Sequence, residues 1–273
     1  MNAPPSPPVL VVIHGLGEHA GRYRDVAAEV ERVGWRLWAE DLPGHGAAAG
    51  RRGDADYDAL LEQVAASWER AASVGTPRSL WGHSFGGNLV ANRLLRRGSL
   101  PGLDRVLLTG PMFLTATPPP RFKQWLADVM PRIWPTLTIA TGLDPHGIST
   151  DPAAVEAYRA DPLTHHRISA RLGKGMLDSG RWALEHARRW DQATGGVPLL
   201  VLHGADDPIT SCDASRRFVE QAGERARFEA WAGARHELHH ERDRRRFVER
   251  LIDWIGRGAE PLDTLSFPNR SSS

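Results

Sequence analysis

The chain has 273 residues, 41% hydrophobic and 25% charged, with a net charge of +1 at pH 7. Such a composition suits one large α/β domain or two small ones around a substantial core. It excludes a global field for nucleic acid or an acidic membrane, and no apolar stretch approaches the ~20 residues that cross a bilayer.

The N-terminal Met1-Asn2-Ala3-Pro4-Pro5-Ser6-Pro7-Pro8 has neither a basic n-region nor an apolar h-region, so no secretory signal is expected. A single cysteine, Cys212, excludes an internal disulfide and fits a reducing compartment. Together these predict a soluble, cytoplasmic protein. Val9-Leu10-Val11-Val12-Ile13 is a continuous apolar run ending in His14-Gly15, the pattern of a strand buried on both faces. A helix is predicted from Tyr23 to Val33 with Gly34 as its stop. Arg36-Leu37-Trp38-Ala39-Glu40 reads as the next strand, closed by Asp41-Leu42-Pro43-Gly44-His45-Gly46. Tyr57 to Ala72 is a second helix, with Leu60, Leu61, Val64, Ala65 and Trp68 on one face. Ser79-Leu80-Trp81 then leads into Gly82-His83-Ser84-Phe85-Gly86 and a helical run, followed by a strand at Arg105–Thr109.

After Gly110-Pro111 the alternation stops. Residues 111–196 carry the cluster Pro118-Pro119-Pro120, a tryptophan-rich stretch and short helical segments without convincing strands. Strand–helix order resumes at Val197-Pro198-Leu199-Leu200-Val201-Leu202, with a helix near Asp213–Gln221, a weak strand at Phe228–Trp231 and a last helix at Arg244–Ile255. The arginines at 242 and 244–246 have acidic neighbours and read as a solvated helix face. The expected organisation is a core of residues 1–110 and 197–258, an inserted helical cap at 111–196, and a flexible tail at 259–273. Alternating strands and helices imply a mostly parallel sheet with right-handed crossovers. The insertion then lies over the strands' C-terminal ends, where ligands bind in such sheets.

Gly-x-Ser-x-Gly between a strand and a helix is the pattern of a nucleophile elbow. The turn is so tight that the residues two before and two after the serine must lack side chains. Ser84 is thereby presented at a helix N-terminus, where backbone N–H groups favour developing negative charge. A serine needs a base, and the base an orienting group. In the chain order Ser, acid, His, the turn Ala205-Asp206-Asp207-Pro208 supplies a carboxylate and the loop Gly233-Ala234-Arg235-His236 an imidazole. Either Asp206 or Asp207 could serve, and turn or capping chemistry is the competing use for them. Of the 12 histidines, His14, His45 and His203 sit on other turns, and His165, His166 and His186 in the insertion, which leaves His236 as the base. Two backbone donors for an oxyanion would be the N–H groups of Phe85 and of Leu16 in His14-Gly15-Leu16-Gly17.

A rival pattern overlaps the base. His236-Glu237-Leu238-His239-His240 matches H-E-x-x-H, which in zinc hydrolases needs both histidines on one helical face and a third ligand. Here the first histidine follows a strand-to-helix loop, so it should precede the helix, and no metal is expected.

Several blocks together resemble the monoacylglycerol lipase and lysophospholipase branch of the α/β-hydrolases. They are His14-Gly15-Leu16-Gly17-Glu18-His19 with Gly21-Arg22-Tyr23, Asp41-Leu42-Pro43-Gly44-His45-Gly46, Gly50-Arg51-Arg52-Gly53, Gly82–Gly87, Asp161-Pro162-Leu163 and His236-Glu237-Leu238. The resemblance runs from about Val9 to Ile255. It implies an α/β-hydrolase fold, Ser84 as nucleophile, His236 as base, and Leu16 and Phe85 as oxyanion donors. The family pattern Gly-x-x-Asp-x-aliphatic fits Gly204, Asp207 and Ile209, so it selects Asp207 over Asp206. The implied reaction is cofactor-free hydrolysis of a monoacylglycerol or similar lipid monoester. A lysophospholipid or a short-chain ester is the nearest alternative; a peptidase or amidase and a non-catalytic binding module stand further off. Members usually begin with an antiparallel strand pair, whereas eight residues precede Val9 here. A shortened sheet edge, or a late start of the sequence, is therefore expected. Ala48 also stands where relatives usually have Ser.

Phe122, Trp125, Leu126, Val129 and Met130 recur at helical spacing, with Pro131 ending or kinking that helix. Trp125, Trp134 and Trp182 are the candidates for lining an acyl pocket. The resemblance further implies that the cap touches lipid aggregates or a membrane surface. No nucleic-acid partner is expected, and the sequence carries no sign of its oligomeric state.

Overall fold

A computed structural model of the chain describes residues 6–118 and 121–256, with side chains throughout except at 121–126. Strand β1 (Pro8–Ile13) is followed by a 3-10 turn at Ala20–Tyr23, α1 (Arg24–Arg32), β2 (Arg36–Ala39), α2 (Tyr57–Ala71), β3 (Thr76–His83), α3 (Phe85–Arg97) and β4 (Arg105–Thr109). The middle segment holds α4 (Arg121–Ile133), β5 (Thr138–Ala140), α5 (Pro152–Ala160), β6 (Arg167–Ser169), α6 (Ala170–His186) and α7 (Trp190–Thr194). The chain closes with β7 (Leu199–Gly204), α8 (Cys212–Ala222), β8 (Ala226–Trp231) and α9 (Arg244–Gly256).

The main sheet has the order β2-β1-β3-β4-β7-β8, and every pairing in it is parallel. Its continuous apolar strands are explained by cover on both faces. Val9, Val11 and Ile13 join Leu80, Val106, Leu108, Leu199 and Val201 in one cluster with α2, α3 and α8. Leu10 and Val12 join Trp81, Leu107, Leu200 and Leu202 in a second, closed by α1 and by Phe247, Leu251 and Trp254 of α9. Among the described residues β2 pairs only with β1, so the sheet ends there. The flexible tail expected at 259–273 lies outside the described residues.

The segment 111–196 divides in two. Residues α4 to β6 form an arch that includes an antiparallel ribbon, with Ile139 opposite Ile168. No strand was expected here because three-residue strands are too short to show a period. The second part, α6 and α7, is packed into the core rather than set above it. Leu172, Met176, Ala183, Ala187 and Trp190 belong to the same cluster as the sheet. Asn88 and Asn92 of α3 donate from Nδ2 to the carbonyls of Met176 and Ser179, at 3.1 Å each. At 17 residues, α6 is also longer than the short segments expected. Pro131 lies inside the last turn of α4, two residues before its end, so the helix stops within a turn of the residue that removes a backbone donor.

The arch is tied down at its β6 side. His165 N–H donates to Gly17 O at 2.8 Å and Ser169 N–H to Gly53 O at 2.7 Å. Arg52 Nη1 reaches Leu163 O at 2.9 Å, Arg171 grips Asp54 with two bonds, and His19 meets Asp161 at 2.7 Å. These are the glycine, arginine and Asp-Pro-Leu blocks of the sequence, and their shared structural use is to seat the arch on the loops after β1 and β2.

Candidate active site

The elbow after β3 is built as its glycines require. Among the described non-glycine residues only Ser84 has a positive φ, at 52°, a conformation that costs on the order of 1–3 kcal/mol and persists only when its surroundings enforce it. Ser84 N–H donates to Thr109 O at 2.8 Å, and Ser84 O accepts from Met112 N–H at 2.9 Å. A Cβ at Gly82 would lie 2.6 Å from Gly86 O, and one at Gly86 would lie 2.0 Å from Ile13 O. The backbone can pass only where those side chains are missing. Phe85 is the first residue of α3, so its N–H has no acceptor inside the helix. Across from it, the loop after β1 is braced by Glu18, whose Oε1 accepts from Gly15 N–H at 2.5 Å and from the Tyr23 hydroxyl at 3.0 Å. Leu16, Ser84 and Phe85 line one cavity.

Of the two adjacent carboxylates, Asp207 is the one that meets the imidazole. His236 Nδ1 lies 2.7 Å from Asp207 Oδ2, while Asp206 is exposed and only its backbone N–H is engaged, with Ala234 O at 3.0 Å. The sequence offered turn chemistry and an orienting role as competing uses. Asp207 has both. Its Oδ1 accepts from Ile209 N–H at 2.7 Å and Thr210 N–H at 3.1 Å, fixing the turn. Its Oδ2 accepts from His236 and from Thr210 Oγ1, each at 2.7 Å, and has His203 Nε2 in contact at 3.0 Å.

Both groups are buried, and their charges decide their protonation. Burial pushes Asp207 up, but the His236 charge and the His203 hydrogen bond hold its carboxyl far below the usual carboxylate range. Burial pulls His236 down; Asp207 beside it overcomes this, so the imidazole sits above its ordinary value. With Nδ1 turned to Asp207, Nε2 is the nitrogen left for proton transfer.

Under the pair lies a buried ionic layer that sequence reading left without a role. Arg22 bonds Glu237 through two nitrogens at 2.9 and 2.6 Å, and Glu18 lies 3.7 Å from the same guanidinium. Burial disfavours both carboxylates, yet Arg22 holds Glu237 well down, and His83 and Arg22 lower Glu18. His83, whose ring centroid is 4.9 Å from that of His236, is pushed down by burial to about 4. It is therefore neutral at working pH. Arg22 and Tyr23 belonged to a conspicuous sequence block, but only the fold reveals that they meet Glu237 and Glu18.

The cavity above Ser84 has a volume of about 930 Å³. Its walls are mainly apolar, including Met112, Met130, Leu137, Ile168, Met176 and Leu177, with Asp206, Thr210 and Arg235 toward one end. Two of the three tryptophans expected there are elsewhere. Trp182 stacks on His186 at 4.1 Å and carries the Arg96 guanidinium at 4.2 Å; it lies past Met176 and Leu177 on α6, rotated away from the face that lines the cavity. Trp134 is 55% exposed beyond the end of α4. The Trp125 side chain lies outside the described residues.

The H-E-x-x-H pattern does not form a helical metal site. Leu238–His240 is a 3-10 turn, His236 faces Asp207, and His240 bonds Glu237 Oε2 at 2.7 Å and Arg22 O at 3.1 Å. Ligand atoms of Glu237, His239 and His240 do lie within 4.8 Å of one another. A divalent cation among them would sit against the buried Arg22 guanidinium, so these residues do not fit a metal.

A family model described as serine aminopeptidase, S33 matches residues 4–243. A monoacylglycerol lipase of Mycolicibacterium smegmatis is 30% identical over 253 residues, covering 90% of this chain and 87% of the relative. An uncharacterized abhydrolase domain-containing protein of Dictyostelium discoideum is 32% identical over 251 residues; the match covers 90% of this chain but spans only 26% of that longer protein. Among solved structures, the monoacylglycerol lipase of Paleococcus ferrophilus superposes with a TM-score of 0.81 at 32% identity, covering 90% of this chain and 93% of the other.

Proposed function

The chain belongs to the serine aminopeptidase, S33 family of α/β-hydrolases, and on that premise we propose that it hydrolyses monoacylglycerols or closely similar lipid monoesters. The observations that carry the reading are Ser84, strained at the N-terminus of α3 and opening onto a large apolar cavity, and the 2.7 Å Asp207–His236 pair on the loops after β7 and β8. In this reading Ser84 Oγ attacks the ester carbonyl while His236 Nε2 takes its proton. The oxyanion is met by the N–H groups of Leu16 and Phe85. His236 passes the proton to the leaving alcohol, and water repeats the sequence to release the fatty acid and restore Ser84. Asp207 keeps the proton of neutral His236 on Nδ1 and stabilises the imidazolium. Substrate and water supply every atom.

The substrate class is supported by the cavity, whose apolar walls suit a single acyl chain, and by the monoacylglycerol lipases among the relatives. The exposed apolar side chains Ile133, Trp134 and Ile139, all on the arch, support transient contact with lipid aggregates. Among the described residues no helix is long and apolar enough to cross a membrane. A fluorophosphonate probe should label the wild-type protein and leave Ser84→Ala unlabelled, with EDTA without effect; equal labelling of the two proteins would refute Ser84 as nucleophile. Comparing kcat/KM for monoacylglycerols, lysophospholipids and p-nitrophenyl esters of graded length then fixes the head group and chain.

A further inference from the structure

Asp207 Oδ2 has two histidine nitrogens close by, His236 Nδ1 at 2.7 Å and His203 Nε2 at 3.0 Å, and the reaction described above uses only the first. His203, in β7, is fully buried. Its Nε2 has Asp207 Oδ2 at 3.0 Å and Thr210 O at 3.2 Å, both acceptors. Thr210 Oγ1 is also 3.2 Å away, but its hydrogen is directed at Asp207, 2.7 Å distant. Nε2 must therefore carry the ring proton. On the other side Nδ1 lies 2.9 Å from Ser215 Oγ on α8, and a hydroxyl can donate there. The proton on Nε2 is thus fixed by contacts at both ends of the ring.

We propose that His203 is a positioning residue for the triad: its Nε2–H, oriented by Ser215, holds Asp207 Oδ2 in place and draws off part of the negative charge that Asp207 presents to His236. The inference rests on the triad reading above. Its physical basis is competition. Asp207 Oδ2 accepts from His236 and Thr210 with His203 Nε2 a third N–H group within 3.0 Å, and Oδ1 takes two backbone N–H groups. Two carboxylate oxygens offer about four lone-pair sites, so every donor weakens the claim of the others. His203 therefore tempers His236 as well as steadying its partner. His236 also feels Glu237 on its own loop, Glu18 from the loop after β1, and the neutral His83 from β3. None of these touches Asp207.

The test uses two amides. Gln at 203 carries its N–H at about the reach of Nε2 and can still serve Asp207. Asn reaches only as far as Nδ1, keeping Ser215 and losing Asp207. With the donor lost, Asp207 concentrates its charge on His236. The acid-limb pKa of kcat/KM should rise by about 0.5 unit or more in His203→Asn, and kcat should fall about tenfold with KM little changed. His203→Gln should lie close to wild type in both. If Asn and Gln behave alike, the proposal is overturned, since a merely structural role would not distinguish them. Independently of any variant, ¹⁵N spectra of the wild-type protein should show a proton on His203 Nε2, and a ring protonated at Nδ1 alone overturns the proposal. Asp207→Asn is measured alongside. If that variant keeps full activity the triad reading fails; if it is inactive while Asn and Gln at 203 match wild type, only the role of His203 fails.

Discussion

Replacing Asp207 by Asn should be the most informative single change. The side chain keeps its shape but loses its charge and one of its two acceptor oxygens. Both edges of the carboxylate face donors: Ile209 and Thr210 N–H at one, His236, His203 and the Thr210 hydroxyl at the other. Whichever way the amide is turned, its NH₂ group points at donors. If its oxygen keeps the backbone pair, His236 must give up the Nδ1 proton and take the Nε2–H tautomer, which cannot act as a base. The expected loss is about 10⁴-fold in kcat, or ~5.5 kcal/mol of transition-state stabilisation at 1.36 kcal/mol per decade. Donors left unpaired cost a further ~1–3 kcal/mol each in folding, so the melting temperature should fall as well. Asp206→Asn is the control. Its side chain is exposed, and kcat/KM should stay within about twofold of wild type. Steady-state kinetics on a p-nitrophenyl ester and on a monoacylglycerol, with thermal unfolding of each variant, decide the matter. An Asp207→Asn enzyme retaining a tenth of wild-type activity, or an equal loss at Asp206, would rule out Asp207 as the group that orients His236.

Two further outcomes follow from the charges around the base. His236 is held above its ordinary 6.5 and must be neutral to accept a proton, so kcat/KM should fall as pH drops through a value above 6.5; a limb centred below 6 contradicts this. Arg22→Met should destabilise the fold by about 3–5 kcal/mol near pH 7, because it strands Glu237 and leaves Glu18 without its nearest cation. Both carboxyls are depressed in the native protein, so their contribution is present above the unfolded value of ~4.3 and is lost as pH falls below it. Without Arg22 they should instead be raised and take up protons on mild acidification. Denaturant titrations should therefore show a smaller difference between variant and wild type at pH 5 than at pH 8, and an equal difference at both would count against the ionic layer.

Which features could be read from the sequence follows from how locally each is encoded. Strand β1, the elbow and α3 were legible because a doubly covered strand is a continuous apolar run and the turn tolerates only glycine at Gly82 and Gly86. The contact of α6 with α3 was not, since the amides of Asn88 and Asn92 make it with the carbonyls of Met176 and Ser179, and asparagines in a helix read as solvent-facing. Trp182 and Trp134 were misplaced for a related reason. Hydrophobicity marks a side chain as worth burying without saying against what. Arg96 and His186 cover Trp182, and solvent meets Trp134. Asp206 and Asp207 are the same residue type side by side. Pattern matching chose between them, and the structure supplies the cause: the Ile209 and Thr210 N–H groups capture one carboxylate and turn its other oxygen toward His236.

The ionic layer gives the conspicuous Glu18-His19-x-x-Arg22-Tyr23 block a reason that reaches the chemistry. An imidazolium forming at His236 meets Asp207 directly and feels Glu237 and Glu18 behind it, while Arg22 is engaged by both glutamates. The histidines nearby add no competing charge, because burial holds His83 and His239 below their ordinary values. The field is therefore arranged before substrate arrives and favours positive charge at one nitrogen pair, with little reorganisation needed when the proton moves. Glu18 has a second use in the same layer. By holding Gly15 N–H it fixes the turn that carries Leu16, so the proposed oxyanion donor and the field around the proposed base depend on one buried carboxylate. A change at Glu18 should consequently disturb both the acid limb and kcat, whereas a change confined to the cavity wall should alter chain-length preference and leave the acid limb where it is.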